Sequence, residues 1–100
     1  MKRVKITAVK KVFHADLAKI YELPQKQPCC IEEGQTFISE NALCPQGLCA
    51  EAWRSLSPFV LALACGGRAI FGDWMNNPSS AMVSCNDGFR PVSFLLEVVD

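Results

Sequence analysis

The chain has 100 residues, a length typical of one domain, and half of those residues are hydrophobic while a fifth are charged. That balance is typical of a globular protein and excludes a chain dominated by disorder. Ten basic and ten acidic residues cancel. This disfavours a protein whose main role is to hold nucleic acid, because such binding depends on concentrated positive charge.

The first predicted element is a strand over residues 3–13. Val4, Ile6 and Ala8 alternate with polar residues, which is the period-two pattern of a half-buried strand. Basic residues crowd the first eleven positions without an acid among them, namely Lys2, Arg3, Lys5, Lys10 and Lys11. We interpret them as a solvated strand face or edge, and a patch for an anionic ligand is the weaker interpretation.

A two-turn helix follows over residues 16–23, where Leu17, Ile20 and Tyr21 have helical spacing and Pro24 ends the pattern. Residues 24–30 are predicted to form a loop because prolines remove two backbone donors there. Further along, the sequence predicts a turn at Glu33-Gly34, a short strand over 35–39 with Phe37 facing inward, and an irregular stretch over 41–48.

The most apolar stretch predicts the core helix. A helix over 49–56 is followed by Ser57-Pro58, a pair typical of an N-cap and a first helical residue. The sequence therefore leaves open two short helices or one helix kinked at Pro58, and Gly66-Gly67 ends the run. Its apolar side chains leave almost no polar face: Leu56, Phe59, Val60, Leu61, Leu63 and Ala64.

The C-terminal part predicts a hairpin. Residues 70–80 are a predicted loop in which Trp74 acts as an anchor, and we interpret Trp53 as a second core anchor. Strands over 81–85 and 91–98 flank an Asp-Gly turn, which is a strong hairpin signal. The predicted fold is one α+β domain over residues 1–100: a small, mainly antiparallel sheet with a C-terminal β-hairpin packed on a hydrophobic helical segment.

The cellular compartment of the protein determines how its six cysteines are interpreted. The longest apolar run, 59–65, is too short to span a membrane, and lysines interrupt any secretory signal, so we expect a cytoplasmic protein. In a reducing compartment, cysteines are buried apolar residues, metal ligands or reactive thiols rather than disulfides. The chain has no CxxC pair, and its single histidine, His14, precludes a two-Cys, two-His zinc finger.

Two cysteines have informative surroundings. Cys49 stands at the start of the predicted core helix, where the helix dipole favours a thiolate, the form that acts as nucleophile or metal ligand; simple packing is the alternative. Cys85 precedes the turn that contains Asp87 and Arg90. These three residues could form an enzyme site for a small molecule, but we favour a turn in which Asp87 bonds its own backbone and pairs with Arg90.

Several short motifs occur in a fixed order along nearly the whole chain. They are Pro28-Cys29, Glu33-Gly34-Gln35-x-Phe37, Pro45-x-Gly47-x-Cys49, Ala52-Trp53, Gly66-Gly67, Trp74 and Cys85-x-Asp87-Gly88-x-Arg90-Pro91-Val92. In this order the sequence resembles a family of short, uncharacterised proteins found mostly in anaerobic prokaryotes. The resemblance implies that Cys29, Cys49 and Cys85 match the family pattern, that Cys44 and Cys65 are peculiar to this chain, and that Cys30 is incidental. It implies no activity.

Three functional hypotheses result. The favoured one is a non-enzymatic binding or interaction module that forms a homo-oligomer. The second is a site of Cys29, Cys49 and Cys85, completed by Asp87 or His14, that binds zinc or an iron–sulfur cluster or acts through redox thiols. The third is a small-molecule enzyme built around the hairpin turn at Cys85.

Overall fold

The structure is a computed structural model that describes residues 1–24 and 29–99. The predicted loop over 24–30, with Pro28 of the first motif, therefore falls largely outside the described residues. The secondary-structure elements in chain order are β1 (Val4–Lys11), α1 (Ala15–Tyr21), β2 (Thr36–Ser39), α2 (Ala50–Ala64), β3 (Ser80–Ser84) and β4 (Val92–Val98).

The four strands form one antiparallel sheet in the order β2-β1-β4-β3. In β1, Ile6 lies opposite Phe37 of β2 and Leu96 of β4. The side chains of Val4, Ile6 and Ala8 are completely buried, as their alternation predicts. Strands β3 and β4 form the predicted C-terminal hairpin, and the inward side chains of all four strands contribute to one core.

Helix α2 packs on the buried face of the sheet and confirms the predicted α+β fold. It is one continuous helix, so the alternative of two short helices is wrong. Pro58 lies inside it rather than at the start of a second helix. A proline there removes one backbone hydrogen bond, but Leu56 and Val60 on either side are fully buried and hold the helix on the sheet. Within the described residues, no helix is long and apolar enough to cross a membrane.

The glycine pair ends α2 as predicted. The last four carbonyl groups of the helix each accept a backbone hydrogen bond, in the donor–acceptor pairs Cys65–Leu61, Gly67–Ala62, Gly66–Leu63 and Lys2–Ala64. The bonds from Gly66 and Gly67 are those of a Schellman motif. Gly66 has a φ of +91°, and a Cβ added to Gly67 would lie 2.7 Å from the carbonyl oxygen of Ala62. Both positions therefore require glycine, for different reasons.

Helix α1 lies on the surface. It forms where a two-turn helix is predicted, but none of its residues is buried. Ile20 and Tyr21 are 69% and 73% exposed. Backbone hydrogen bonds from Val12 and His14 to the loop over 85–91 hold the start of this segment against the hairpin.

The predicted role of Trp74 as an anchor is wrong, because its side chain is 83% exposed. Its ring lies 5.9 Å from that of Phe71, which in turn lies 5.8 Å from Phe59 of α2. Phe71 packs against the core and attaches the loop, so Trp74 occupies the outer end of an aromatic row. Trp53 is half-buried and packs against the core, in agreement with its predicted role.

Candidate functional site

Four of the six cysteines line one pocket of about 230 Å³ at the N-terminal end of α2, and three of them are the predicted Cys29, Cys49 and Cys85. Cys29 comes from the loop before β2, Cys49 from the residue before α2, and Cys85 from the end of β3. All three are half-buried. The other lining residues are Cys30, Ile31, Glu51, Ala52, Asn86, Asp87, Arg90, Val92 and Phe94. We call this cavity the thiol pocket. It brings together the three predicted cysteines with Asp87 and Arg90.

Cys49 is the N-cap residue of α2, one position from where the sequence places the start of the helix. Its φ of −58° and ψ of 133° are extended, and its side chain makes no capping hydrogen bond. This position lies at the positive end of the helix dipole. The thiol of Cys49 is therefore available to the pocket rather than committed to the helix terminus.

Cys85 is fixed by the last rung of the β3–β4 ladder. Its backbone N–H donates to the carbonyl oxygen of Val92 at 3.0 Å. The backbone N–H of Val92 donates in return to Sγ of Cys85 at 3.3 Å. The sulfur atom is thereby held on the pocket wall by the hairpin itself.

Asp87 organises the hairpin loop through its own backbone, as predicted. Its Oδ1 accepts the backbone N–H of Phe89 at 2.8 Å and that of Arg90 at 3.0 Å. Such bonds are typical of aspartate in turns. Asp87 therefore shapes the rim of the thiol pocket by fixing the path of the chain between β3 and β4.

Arg90, for which the sequence predicts a pairing with Asp87, forms an ion pair with Glu22. Its Nη1 lies 2.6 Å from Oε2 of Glu22, and the two side chains are 20% and 7% exposed. The hydrogen bond to Glu22 is the main cause that raises the pKa of Arg90; burial opposes the shift, while the charges of Glu22, Asp87 and Cys29 add to it. The guanidinium also lies over the ring of Phe13, 4.8 Å from its centroid. Arg90 thus connects the pocket to the chain around α1.

His14 does not belong to the described lining of the thiol pocket. It is the exposed N-cap residue of α1, and its side chain makes no capping bond. Cys44 and Cys65 are also exposed and lie outside the described lining. Of the candidate residues named from the sequence, His14 is thus the one that the structure separates from the others.

Sequence reasoning missed part of the pocket. Cys30, which the resemblance marks as incidental, contributes to the lining, as do Glu51 and Asn86. Glu51 and Asn86 follow Cys49 and Cys85 closely in the chain, and this proximity is the sequence feature that could have indicated them. The apolar floor, to which Ile31 and Phe94 contribute, carried no signal beyond hydrophobicity, because it depends on how the loops meet the sheet.

A zinc ion or an iron–sulfur cluster requires three or four donors within bonding distance of common metal atoms. Across residues 1–24 and 29–99, no group of three or more His, Cys, Asp or Glu side chains is placed to hold a metal ion. The thiol pocket therefore collects sulfur atoms in one cavity without arranging them as a ligand shell. Its chemistry is that of a small apolar cavity with polarisable thiols and a polar rim.

Comparison with known proteins found no match. No protein-family model, no curated protein and no solved structure matches the chain. The family resemblance drawn from the motifs stays a prediction, and the function is inferred from the residues of this chain.

Proposed function

We propose that this domain is a non-enzymatic binding module and that it holds a small ligand in the thiol pocket. One observation carries the proposal: Cys29, Cys49 and Cys85 come from three separate segments to one cavity of about 230 Å³. Pockets for drug-sized ligands measure about 300–1,000 Å³, so a ligand on the order of ten non-hydrogen atoms fits this one.

The composition of the pocket supports binding. Ile31 and Phe94 are 2% and 0% exposed, so the floor of the pocket is part of the packed core. Cysteine side chains add soft, polarisable contacts to such a floor. The amide of Asn86 on the rim offers hydrogen bonds that orient a polar group of the ligand. This combination of an apolar floor and few polar groups is typical of ligand sites.

The same contacts favour binding over catalysis. Asp87 accepts two backbone N–H groups, and Arg90 pairs with Glu22, so both side chains already have structural partners. A small-molecule enzyme around Cys85, Asp87 and Arg90 stays a prediction. A zinc, iron–sulfur or redox role for the cysteines stays a prediction as well, and elemental analysis separates a bound metal from a bound organic molecule.

The test is native mass spectrometry combined with elemental analysis on protein purified without oxygen. We expect one bound mass per wild-type chain, lost in Cys85→Ser and Cys49→Ser and kept in Cys65→Ser, which alters an exposed cysteine outside the described pocket lining. Elemental analysis then identifies the mass as a metal or an organic molecule. An empty wild-type protein, or a mass kept equally by all three variants, would contradict the proposal.

A second candidate function is self-association through the apolar surface around α1. A helix shorter than about 12–15 residues is marginal unless it is packed, and α1 has seven residues, none of them buried. We call this surface the α1 patch. Its apolar side chains and their exposed fractions are Phe13 at 55%, Leu17 at 37%, Ile20 at 69%, Tyr21 at 73% and Leu23 at 81%.

The size and charge of the α1 patch favour a second copy of this chain as the partner. A large apolar side chain offers about 150–250 Å², so the patch exposes on the order of 600 Å². A standard interface buries about 800 Å² on each partner, which is similar. The formal net charge of zero means that two copies do not repel each other overall.

Sedimentation velocity over a concentration series tests the self-association. We expect a dimer in the wild type and a monomer in Ile20→Lys, because a charge in the patch opposes its burial. Leu43→Lys is the matched control, since Leu43 is 66% exposed at another part of the surface. A wild-type monomer at all concentrations, or an equal effect of the control, would rule out the α1 patch as the interface.

A further inference from the structure

A second cavity, of about 380 Å³, lies at the opposite end of α2 from the thiol pocket. Helix α2 has 15 residues, so its two ends are roughly 22 Å apart. The polar lining residues are Lys2 before β1, Arg68 after α2, and Asn77 and Ser79 before β3. The remaining lining residues are Leu63, Gly66, Gly67 and Val98. We call this cavity the basic pocket.

The charge of the basic pocket is positive. Its charged lining residues are Lys2 and Arg68, and the described lining contains no Asp or Glu. The C-terminal end of a helix carries partial negative charge, which would oppose an anion. Here, however, each of the last four carbonyl groups of α2 accepts a backbone hydrogen bond, and Lys2 itself donates one of them to Ala64 at 2.8 Å. The last four carbonyl groups of α2 thus already have hydrogen-bond donors, and the charged groups of the described lining are the two cations.

Hydrogen bonds arrange the polar side chains of this pocket as donors. Nη1 of Arg68 donates to Oγ of Ser79 at 3.0 Å, so the hydroxyl hydrogen of Ser79 can be donated to a ligand. The backbone N–H of Ser79 donates to Oδ1 of Asn77 at 2.9 Å. Because Oδ1 of Asn77 accepts that bond, the NH₂ group of the same side chain can donate a hydrogen bond to a ligand. A guanidinium, a hydroxyl and an amide thus offer hydrogens in one cavity.

We propose that the basic pocket binds a small oxyanion of the phosphate class. The planar guanidinium of Arg68 matches the geometry of phosphate oxygens, and the ammonium group of Lys2 adds a point charge. The cavity is larger than a phosphate ion, so it also accommodates an organic group attached to the phosphate. This site shares no lining residue with the thiol pocket and does not depend on the function proposed for it.

The test is a titration followed by ¹H–¹⁵N NMR at constant ionic strength, with inorganic phosphate and glycerol phosphate as probes. We expect saturable shifts at residues of the basic pocket and weaker binding by at least about tenfold in Arg68→Gln, because hydrogen bonds to charged groups are the strong ones. Lys2→Gln is a second variant with the same expected direction. Tighter binding of the ester identifies a phosphorylated molecule as the ligand, and equal binding identifies the phosphate ion.

Arg54→Gln is the matched control, because Arg54 is an exposed arginine of α2 that pairs with Glu51 at 3.3 Å. It should bind both probes as the wild type does. Shifts that never saturate, or equal weakening in the control and in Arg68→Gln, would show only diffuse attraction to surface cations and would overturn the proposal. Neither result depends on a cysteine, so it leaves the thiol pocket untouched.

Discussion

Gly66 and Gly67, which follow α2, are required for different reasons, and a substitution at each position tests its reason. Gly66→Ala places a side chain at a φ of +91°, which costs roughly 1–2 kcal/mol. Gly67→Ala places a Cβ 2.7 Å from the backbone oxygen of Ala62, and overpacking of this kind costs about 1–3 kcal/mol. We expect urea denaturation to show both losses in the free energy of unfolding.

Gly88→Ala is the control for this pair. Nothing lies within 4 Å of a Cβ at Gly88, and its φ is not in the left-handed region, so the change should stay within about 0.5 kcal/mol. An equal loss in the control would mean that the two glycines after α2 have no special role.

Cys49 influences the pKa of the Cys44 thiol. Although Cys44 as a residue is exposed, partial desolvation of its thiol raises the pKa of Cys44 above that of an ordinary thiol, and the charge of Cys49 adds to the shift. A raised pKa lowers the thiolate fraction at a given pH and slows alkylation. We expect Cys49→Ser to lower the pKa of Cys44, so that Cys44 is alkylated faster at pH 8, as measured by peptide mass spectrometry. Cys85→Ser should leave this rate unchanged, and an unchanged or slower rate in Cys49→Ser would contradict the coupling.

Among the elements, α1 is attached to the hairpin loop by an ion pair at its C-terminal end. The carboxylate of Glu22 follows α1 directly and lies 2.6 Å from Arg90 of the hairpin loop. We expect Glu22→Gln to speed hydrogen exchange of the α1 amides by at least about fivefold, because the amide oxygen of glutamine is a weaker, uncharged acceptor for Arg90. The central strand β1 should not change.

Glu51→Gln provides the comparison, because Glu51 also pairs with an arginine, Arg54, but both side chains are more than half exposed, at 63% and 74%. Exposed pairs contribute little to stability. Exchange in α1 that is as fast in Glu51→Gln as in Glu22→Gln would argue against a specific attachment of α1 by Arg90.

The elements that depend on a local sequence pattern could be predicted from the sequence alone. The alternation of Val4, Ile6 and Ala8 specifies β1, and the two strand-like runs on either side of Asp87-Gly88 specify the hairpin; both elements are present, although the strands are joined by a loop over 85–91 rather than by a tight Asp-Gly turn. The continuity of α2 through Pro58 was not predictable, because it depends on the burial of neighbouring residues against the sheet. The exposure of Trp74 was also missed, because hydrophobicity alone does not show which aromatic residue reaches the core.

At the scale of the whole molecule, the strand order determines which distant segments meet, and local sequence patterns do not show this. The strand order β2-β1-β4-β3 brings the end of β3, the start of α2 and the loop before β2 to one end of the sheet. The motifs predicted which cysteines to examine, but not that Cys30 joins them or that Arg90 pairs with Glu22, 68 residues away. Long-range contacts of this kind leave no local pattern in a single sequence.

The α1 segment and the thiol pocket meet at Arg90. The residue lines the pocket, pairs with Glu22 after α1 and covers the ring of Phe13. The basic pocket lies at the other end of α2 and shares none of these contacts. The molecule thus presents two separate candidate binding sites, one of which adjoins the α1 patch proposed for self-association.

The measurement that tests the central claim most directly is the reaction of the protein with phenylarsine oxide, followed by alkylation of the remaining thiols and peptide mapping. Its arsenic bonds two thiols and releases water, and its ring is small enough for a cavity of about 230 Å³. A single small-ligand pocket predicts one equivalent of probe and protection of two among the four lining cysteines, Cys29, Cys30, Cys49 and Cys85, while Cys44 and Cys65 stay reactive. Protection of Cys44 or Cys65 instead, or equal alkylation of all the cysteines, would contradict the thiol pocket.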